Sequence, residues 1–578
     1  MTRLRTFASP SLAAVLFTAC ASTPVPGPAP VTAPTPAASP DAGAPTAAAP
    51  RVQPPAPGPA RDVRLPEVRQ ARLANGLQVN HVVYNTLPVL HLRLMVRAGQ
   101  SHDPATLPGL AAFTGDMLKE GARGRTSAQI AEAIEFVGGS IEVSTSADAT
   151  ILSVAVLKDH AQTALTLLAD ILTTPTFPQV EINKLKRRER DRLERLANDP
   201  AWLSRRAQYQ ALYGPNHPYR NNDITAASLE RITRNDIVNF HRGRYVGGNM
   251  TLVVVGDLSA AELDPMVQRT LGRVRAGTAP ALQFPEVPQP TGRQVILVDR
   301  PDSAQSSVSI TNLALRRRDD DWIAFNVANQ ALGGGVSSRL FMDLRELRSL
   351  SYGVYARATE AVDVGRWFAG GSVRTAVTAD AIYALMRHVE CATTEAPPAE
   401  EIAQTRSYLV DSFPLSIETP GNVADLVTSL RLYDLPADYY DTYRTRVGAV
   451  DAAAALGAAQ RHVHLDRATV VVVGTADAPV DVGPNCAASA ALPASATFAQ
   501  QISACATRSE GAPARETRPL AEALRAFGPV RVLNLQGAVV RELAAAPDAF
   551  SPPIRAACSE LTAPALQQVA RASQESAR

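Results

Sequence analysis

Two nearly identical runs lie about 200 residues apart, far beyond the period of about 20–50 residues that marks a solenoid repeat. They are Thr251–Asp257 (TLVVVGD) and Thr469–Thr475 (TVVVVGT). Each is a β-branched run closed by glycine and reads as a strand. What precedes them also repeats. One unit opens at Leu73–Val79 around the turn Asn75–Gly76. It continues with Leu90–Gly99 (LHLRLMVRAG), which puts Leu92, Leu94 and Val96 on one face. The other opens with Arg293–Arg300 (RQVILVDR) and continues with Ser306–Leu315 (SSVSITNLAL). In both, a charged turn and an apolar helix follow. The duplication predicts an α/β chain of two homologous half-domains.

Within the first unit, Thr126 and Gln129 form a capping box. It opens a helix through Ile130, Ile134 and Val137 that ends at Gly138–Gly139. Ile141 to Val156 reads as a hairpin. The segment after Pro178 reads as a long charged helix with Ile182, Leu185, Leu193 and Leu196 as a partial stripe. The Pro- and Gly-rich stretch 276–292 is a natural linker. The half-domains therefore span 62–275 and 293–476. An extension, 477–578, follows; in it Leu520–Phe527 reads as a helix, Val530–Leu535 as a strand and Val539–Leu543 as the start of another helix, together a small α/β appendage.

Chemistry concentrates in Gly333–Tyr352 (GGGVSSRLFMDLRELRSLSY). Gly333, Gly334 and Gly335 precede Ser337 and Ser338, both N-cap candidates. An apolar-periodic helix follows through Leu340, Phe341, Leu344 and Leu347. It carries Arg345, and Tyr352 lies seven residues further on. This stretch, with the two-unit plan, resembles the insulinase/pitrilysin family of zinc peptidases over about residues 66–475, which implies an α/β (α+β) fold with each half a mostly antiparallel sheet packed with helices. The resemblance makes Arg345 and Tyr352 the catalytic pair that steadies the transition state, and Gly333, Gly334 and Gly335 a substrate-binding loop. It also implies an extended peptide substrate that adds to a free strand edge, at Ile141–Ser144.

The same resemblance locates what is missing. Active members carry His-x-x-Glu-His on the first helix, with both histidines on one face to ligate zinc. The aligned stretch here is Gly109–Met117 (GLAAFTGDM), with Ala112, Gly115 and Asp116 at the three functional positions. The third ligand position falls at Arg192. One carboxylate cannot make a three-ligand zinc site, and a guanidinium repels the ion. No zinc or other cofactor is expected in this chain. His462-Val463-His464 is the only close histidine pair and reads as a surface pair near a strand start; His217 and His241 read as structural or solvated.

The N-terminus reads as a signal peptide, residues 1–20: Arg3 and Arg5 precede the apolar core Leu12–Ala19. Phe17–Cys20 (FTAC) resembles a lipobox with Phe where Leu is usual, which makes Cys20 a lipidation site; ordinary cleavage at Ala19-Cys20-Ala21 is the alternative. Both imply export. Absence of Asp after Cys20 favours the outer membrane over the inner. Residues 21–61, almost wholly Ala, Pro, Thr, Ser and Gly, read as a disordered tether. The remaining Cys391, Cys486, Cys505 and Cys558 are even in number, which in an exported chain favours disulfides in one of three pairings. Three of them lie beyond residue 480, so stapling of the extension is expected. A net charge of +2 gives no electrostatic footprint for nucleic acid.

The functional expectation is a non-zinc subunit of a heterodimeric, periplasm-facing peptidase. Its partner is a homologous subunit bearing the zinc motif, and its anchor is a lipid in the membrane. The alternative is an inactive scaffold or peptide-binding protein of the same fold.

Overall fold

The all-apolar runs become central strands because both their faces are covered. In the first half, the strands are β1 (Arg69–Arg72), β2 (Gln78–Val83), β3 (Val89–Val96), β4 (Ser140–Thr145), β5 (Thr150–Leu157) and β6 (Met250–Gly256). Their order across the sheet is β1-β2-β6-β3-β5-β4, antiparallel except for β2 with β6. Leu252 and Val254 of β6 face the first-half core, while Val253 and Val255 face the opposite side. The computed structural model describes residues 63–221, 223–483, 495–506, 516–552 and 554–576. The expected signal peptide, Cys20 and the tether lie outside these residues.

The second sheet repeats the plan with β7 (Gln294–Asp299), β8 (Gln305–Leu313), β9 (Ser351–Ala358), β10 (Arg366–Arg374) and β11 (Thr469–Gly474), in the order β9-β10-β8-β11-β7. Val470 and Val472 of β11 join the second-half core; Val471 and Val473 face away from it. The outward faces are covered by an exchange of helices between the halves. Trp202, Leu203 and Ala207 of the helix Pro200–Leu212 pack on Ile296, Val298, Val471 and Val473 of the second sheet. Reciprocally, Val423, Val427 and Leu430 of the helix Pro420–Leu432 pack with Val82, Val253 and Val255 of the first. Ion pairs such as Arg93 Nε to Asp425 Oδ1 (2.7 Å) border this contact. Both halves belong to one compact unit, Arg61–Arg578.

Local readings hold where a named contact enforces them. Thr126 Oγ1 accepts from Gln129 N–H and Gln129 Oε1 accepts from Thr126 N–H, opening the helix Ser127–Glu135. Gly138, at φ +67°, follows its end. The hairpin forms as β4 and β5, with Ile141 opposite Val154, and β4 is one of the two edge strands of the first sheet.

The extension does not stand apart as an appendage. Val530–Leu533 (β12) pairs parallel with β7, and Val539–Leu543, expected as a helix start, is the strand β13 that pairs antiparallel with β12. Val530 and Val532 are buried in the second-half core. In the first half the corresponding edge of β2 is taken by β1; in the second it is open to the extension. Gly537, at φ +91°, makes the turn, with the Asn534 carboxamide oxygen accepting from Gln536 and Ala538 N–H groups. A disulfide joins Cys391 to Cys558, so the extension is stapled to the second half. Cys486 and the Cys505 side chain lie outside the described residues.

Candidate functional site

The glycine run closes the helix Trp322–Gly333 rather than forming an open loop throughout. Gly333 is buried where a Cβ would sit 2.4 Å from Ala356 N and 2.7 Å from Ala356 Cβ, so the helix seats directly on β9. Gly335 meets only the Gln330 carboxamide, at 3.4 Å. It lines a cavity of about 380 Å³ shared with Val336, Ser337, Tyr408 and the C-terminal helix. Of the three, then, Gly333 has a packing role and Gly335 faces open space. Ser337 is exposed; Ser338 is buried, and its hydroxyl donates to Gly335 O (2.6 Å) instead of capping a helix N–H.

The expected α-helix through Arg345 is a correction. Only Arg339–Phe341 is α-helical; Met342–Leu347 is a π-helix, with Arg348 N–H donating to Asp343 O at 2.9 Å. Such wide turns are rare and recur at functional sites. Ser349 follows at φ +48°, a costly conformation for a residue with a Cβ, and β9 begins at Ser351.

Tyr352 sits at a β-bulge: Ser351 pairs with Val373 and Gly353 with Ser372, which leaves Tyr352 without a cross-strand partner. A bulge of this kind re-aims a side chain, and Tyr352 is 85% exposed on the sheet's edge strand. The Arg345 guanidinium lies 4.6 Å from its ring centroid and 4.7 Å from that of Phe341. Arg345 Nε also meets Glu346 Oε1 at 3.3 Å. The structure thus brings the two expected residues into contact with each other.

Behind them lies a polar cluster that sequence reasoning missed. Asp343, fully buried, accepts from Arg348 Nε (2.9 Å) and Nη2 (3.1 Å) and pairs with His388 Nε2 (2.8 Å). Arg348 Nη1 also reaches Asp380 Oδ1 at 3.4 Å. Burial pushes the Asp343 carboxyl up, but Arg348 and His388 outweigh it and hold it below its ordinary value. Burial raises Asp380 and depresses His388. Neutral His388 donates through Nε2, leaving Nδ1 as an acceptor with no partner among the described groups. A second buried pair, Arg339 with Glu401, is bidentate at 2.8 and 2.6 Å.

In the first half, the helix Leu110–Met117 borders a cavity of about 490 Å³ lined by Ala112, Asp116, Glu189, Arg192, Arg205 and Asp223 among others, all first-half residues. Neither Arg345 nor Tyr352 is among the residues lining it. Arg192 Nε donates to Glu189 Oε2 (2.7 Å) and Nη2 to Asp223 Oδ1 (3.0 Å). Burial, then the Glu189 charge, raises the Asp116 carboxyl to about 6. Gly115 sits where a Cβ would come within 2.8 Å of Thr145 Oγ1 on β4.

Residues 83–213 match the family described as Insulinase (Peptidase family M16), and residues 231–409 match its Peptidase M16 inactive domain; together these spans exceed half of the chain. The chain belongs to the insulinase, or M16, family. It is 29% identical over 307 residues to an uncharacterized zinc protease of Mycobacterium leprae, covering 52% of this chain and 67% of the relative. It is 23% identical over 385 residues to a non-peptidase homolog of Helicobacter pylori, covering 66% and 87%. Among solved structures it resembles a peptidase M16 inactive domain from Pseudomonas fluorescens (TM-score 0.67, 26% identity, 71% of this chain and 98% of the other). The first half of the periplasmic protease PqqL from Escherichia coli shares the fold (TM-score 0.59, 16% identity, 72% and 93%).

Measured against the zinc site of M16 peptidases, the first-half residues do not fit a metal. Ala112 and Gly115 offer no donor atom, and Arg192 occupies its position with two carboxylates already paired to it. Among the described residues, no group of three His, Cys, Asp or Glu is placed to hold a metal ion. Three histidines singled out in the sequence of this M16 chain have structural partners. His462 is the last residue of the helix Ala452–His462, not part of a strand, and its Nε2 meets Asp321 Oδ2 at 2.8 Å. His217 is buried between Asp363 Oδ2 (3.2 Å) and Tyr219 N (3.1 Å). His241 meets Leu172 O at 3.0 Å, and burial lowers it to about 4.

Proposed function

We propose that this M16 chain is the non-zinc subunit of a heterodimeric peptidase, supplying Arg345 and Tyr352 to peptide hydrolysis at a homologous partner's zinc site. The observation that carries the reading is the exposed Tyr352 on a free sheet edge with the half-buried Arg345 stacked on it, in a chain whose own first-half cavity lacks a ligand set. A residue kept for packing alone would not be turned out by a bulge with 85% of its surface in solvent.

Zinc on the partner supplies the activated water. The residues of this chain then act on the carbonyl under attack. The Tyr352 hydroxyl donates to the oxygen as negative charge develops, and Arg345 donates to a neighbouring substrate carbonyl. Donors aimed at developing charge are worth about 2.7–4 kcal/mol each in acyl-transfer sites. Gly335 and the open backbone around it border the path of an extended peptide, which pairs with the free edge of β9 or β4. The targeting segment exports the chain and Cys20 anchors it by lipid to the outer membrane, with the folded part in the periplasm. No helix among the described residues is long and apolar enough to cross a membrane, and a relative by fold is named as periplasmic.

The test is reconstitution. Full-length chain and a zinc-motif M16 homologue are purified separately, mixed, and assayed on an internally quenched peptide. Hydrolysis is expected only from the mixture. The names of the relatives, an inactive domain and a non-peptidase homolog, favour a second reading, a peptide-binding scaffold with no part in chemistry. That reading predicts peptide binding by the isolated chain and no gain on mixing.

A further inference from the structure

We infer that the C-terminal extension is a brace for Arg345: its disulfide-stapled part holds the π-turn in register, so that Arg345 stays stacked on Tyr352. The inference rests on the proposed role of that pair for its functional consequence, though the brace itself is a property of the isolated chain.

The extension lies outside both spans that match the family, and it packs on the second half along much of its described length. Its strands β12 and β13 close one edge of the second sheet. Leu520, Leu524, Phe527 and Phe550 are buried in the second-half core, and the part around the disulfide packs beside the π-turn that leads into β9, the opposite edge of the sheet. There, Phe498, Ile502, Ile554, Leu561 and Leu566 form a small apolar cluster around the Cys391–Cys558 bond. The second-half residues packed against that cluster are Met342 and Leu347, the first and last residues of the π-helix. Arg345 lies between them. Hydrophobic contact at both ends of a wide turn favours its width, because a relaxed α-turn would rotate one end away from the cluster.

The third contact is polar. Glu401 binds Arg339, the first residue of the helical segment that carries Arg345, and its Oε1 also accepts from Ala563 N–H (3.2 Å), the first residue of the C-terminal helix Ala563–Ser576. One buried carboxylate therefore ties the N-terminus of the extension's last helix to the start of the Arg345 segment. A buried guanidinium held by a single carboxylate has little freedom to shift alone. The disulfide, five residues before Ala563, fixes the end of this arm to the helix Thr378–Thr394. That helix also supplies His388 and Asp380 to the polar cluster on the turn. The brace and the polar cluster thus grip the same turn and share one helix.

Two full-length variants test this: Cys391→Ala/Cys558→Ala, and Leu566→Ala, which thins the cluster with the disulfide intact. In the isolated chain, hydrogen exchange of the Arg348 and Leu350 amides, both bonded across the π-turn, is expected to accelerate about tenfold or more in each variant. Exchange in β3, in the other half, stays as in the wild type; if β3 also loosens in the cysteine variant, the Leu566→Ala result decides. In the reconstituted assay kcat falls about tenfold or more at constant KM, as expected for a misplaced catalytic group. That fall disappears in an Arg345→Ala background, which a general loss of stability would not produce. Unchanged exchange at Arg348 and Leu350 in both variants overturns the brace, even if Tyr352→Phe impairs hydrolysis. Accelerated exchange with hydrolysis indifferent both to the variants and to Tyr352→Phe upholds the brace and overturns the role proposed for the pair.

Discussion

Asp343→Asn tests whether the polar cluster, and not helix propensity, holds the π-turn. The carboxylate makes three contacts at 2.8–3.1 Å, two with Arg348 and one with His388, and has no exposed surface. An asparagine keeps one oxygen for Arg348 Nε but turns its NH2 toward Arg348 Nη2 and His388 Nε2. The imidazole can accept that N–H only by moving its own proton to Nδ1, which has no partner among the described groups. Either a donor faces a donor or a buried N–H is orphaned, and of the two carboxylates on Arg348 just Asp380 remains, at 3.4 Å. Breaking a buried pair in this way costs about 3–5 kcal/mol. Asp380→Asn should cost far less, because burial already raises that carboxyl and its contact is longer. Urea denaturation at pH 7, with exchange at Arg348 and Leu350, reads both. Acid should mimic the first variant. The Asp343 pKa is depressed, so its contribution is present above the unfolded value near 3.8 and lost as pH falls through it. His388 is likewise depressed, so its neutral form stabilises above 6.5 and that contribution is lost below. If Asp343→Asn costs under about 1 kcal/mol, or no more than Asp380→Asn, the charge at position 343 does not hold the turn.

Tyr352→Phe keeps the ring on which Arg345 stacks and removes only an exposed hydroxyl. Stability should change by less than about 0.5 kcal/mol, while reconstituted hydrolysis falls about 10²–10³-fold; equal rates would end the catalytic assignment. Asp116, raised from 3.8 to about 6, holds a proton in the folded state that the unfolded chain releases, so stability falls as pH rises through that window. Asp116→Asn removes a slope of at most about 3 kcal/mol, and parallel urea-midpoint curves from pH 4 to 7 would refute the shift. Gly333→Ala should cost about 1–3 kcal/mol by overpacking against Ala356. Gly335→Ala, with one contact at 3.4 Å, should be near neutral by the same denaturation.

The duplication was legible because a strand covered on both faces must be apolar at every position, and TLVVVGD and TVVVVGT are. The side of cover was not. Nothing local in Trp202, Leu203 and Ala207 says that they pack on the other half's sheet, since an amphipathic helix records that it has a partner but not which one. The Arg345 segment shows Leu340, Leu344 and Leu347 at α-helical spacing, and so reads as an α-helix. What widens it is the pairing of Asp343 with Arg348, five apart, and with His388 forty-five residues on. The one local hint is that five-residue spacing, which an α-helix does not place on one face. The extension's second strand reads as a helix for a related reason: Val539, Val540 and Leu543 fit one helical face, and the turn at Asn534–Gly537 is the local mark of the hairpin.

Arg192 deserves to be read as more than a lost ligand. Its cavity holds three carboxylates, Asp116, Glu189 and Asp223, which without a cation would repel one another across a partly buried space. The Arg192 guanidinium bonds two of them in a fork, Glu189 on its own helix and Asp223 beyond the helix Pro200–Leu212. Asp223 in turn accepts from Trp202 Nε1 (2.8 Å), and Trp202 packs on the second sheet. The arginine therefore supplies the positive charge that a metal would otherwise bring, and it ties the long charged helix to the helix exchanged between the halves. Arg192→Glu cannot recreate a metal site by itself: it removes the guanidinium that pairs Glu189 and Asp223, adds a fourth carboxylate and leaves Ala112 and Gly115 without donors. The substitution should destabilise the chain, and added zinc should not restore its urea midpoint. Full recovery with one equivalent of zinc would show that the cavity has kept a ligand set after all.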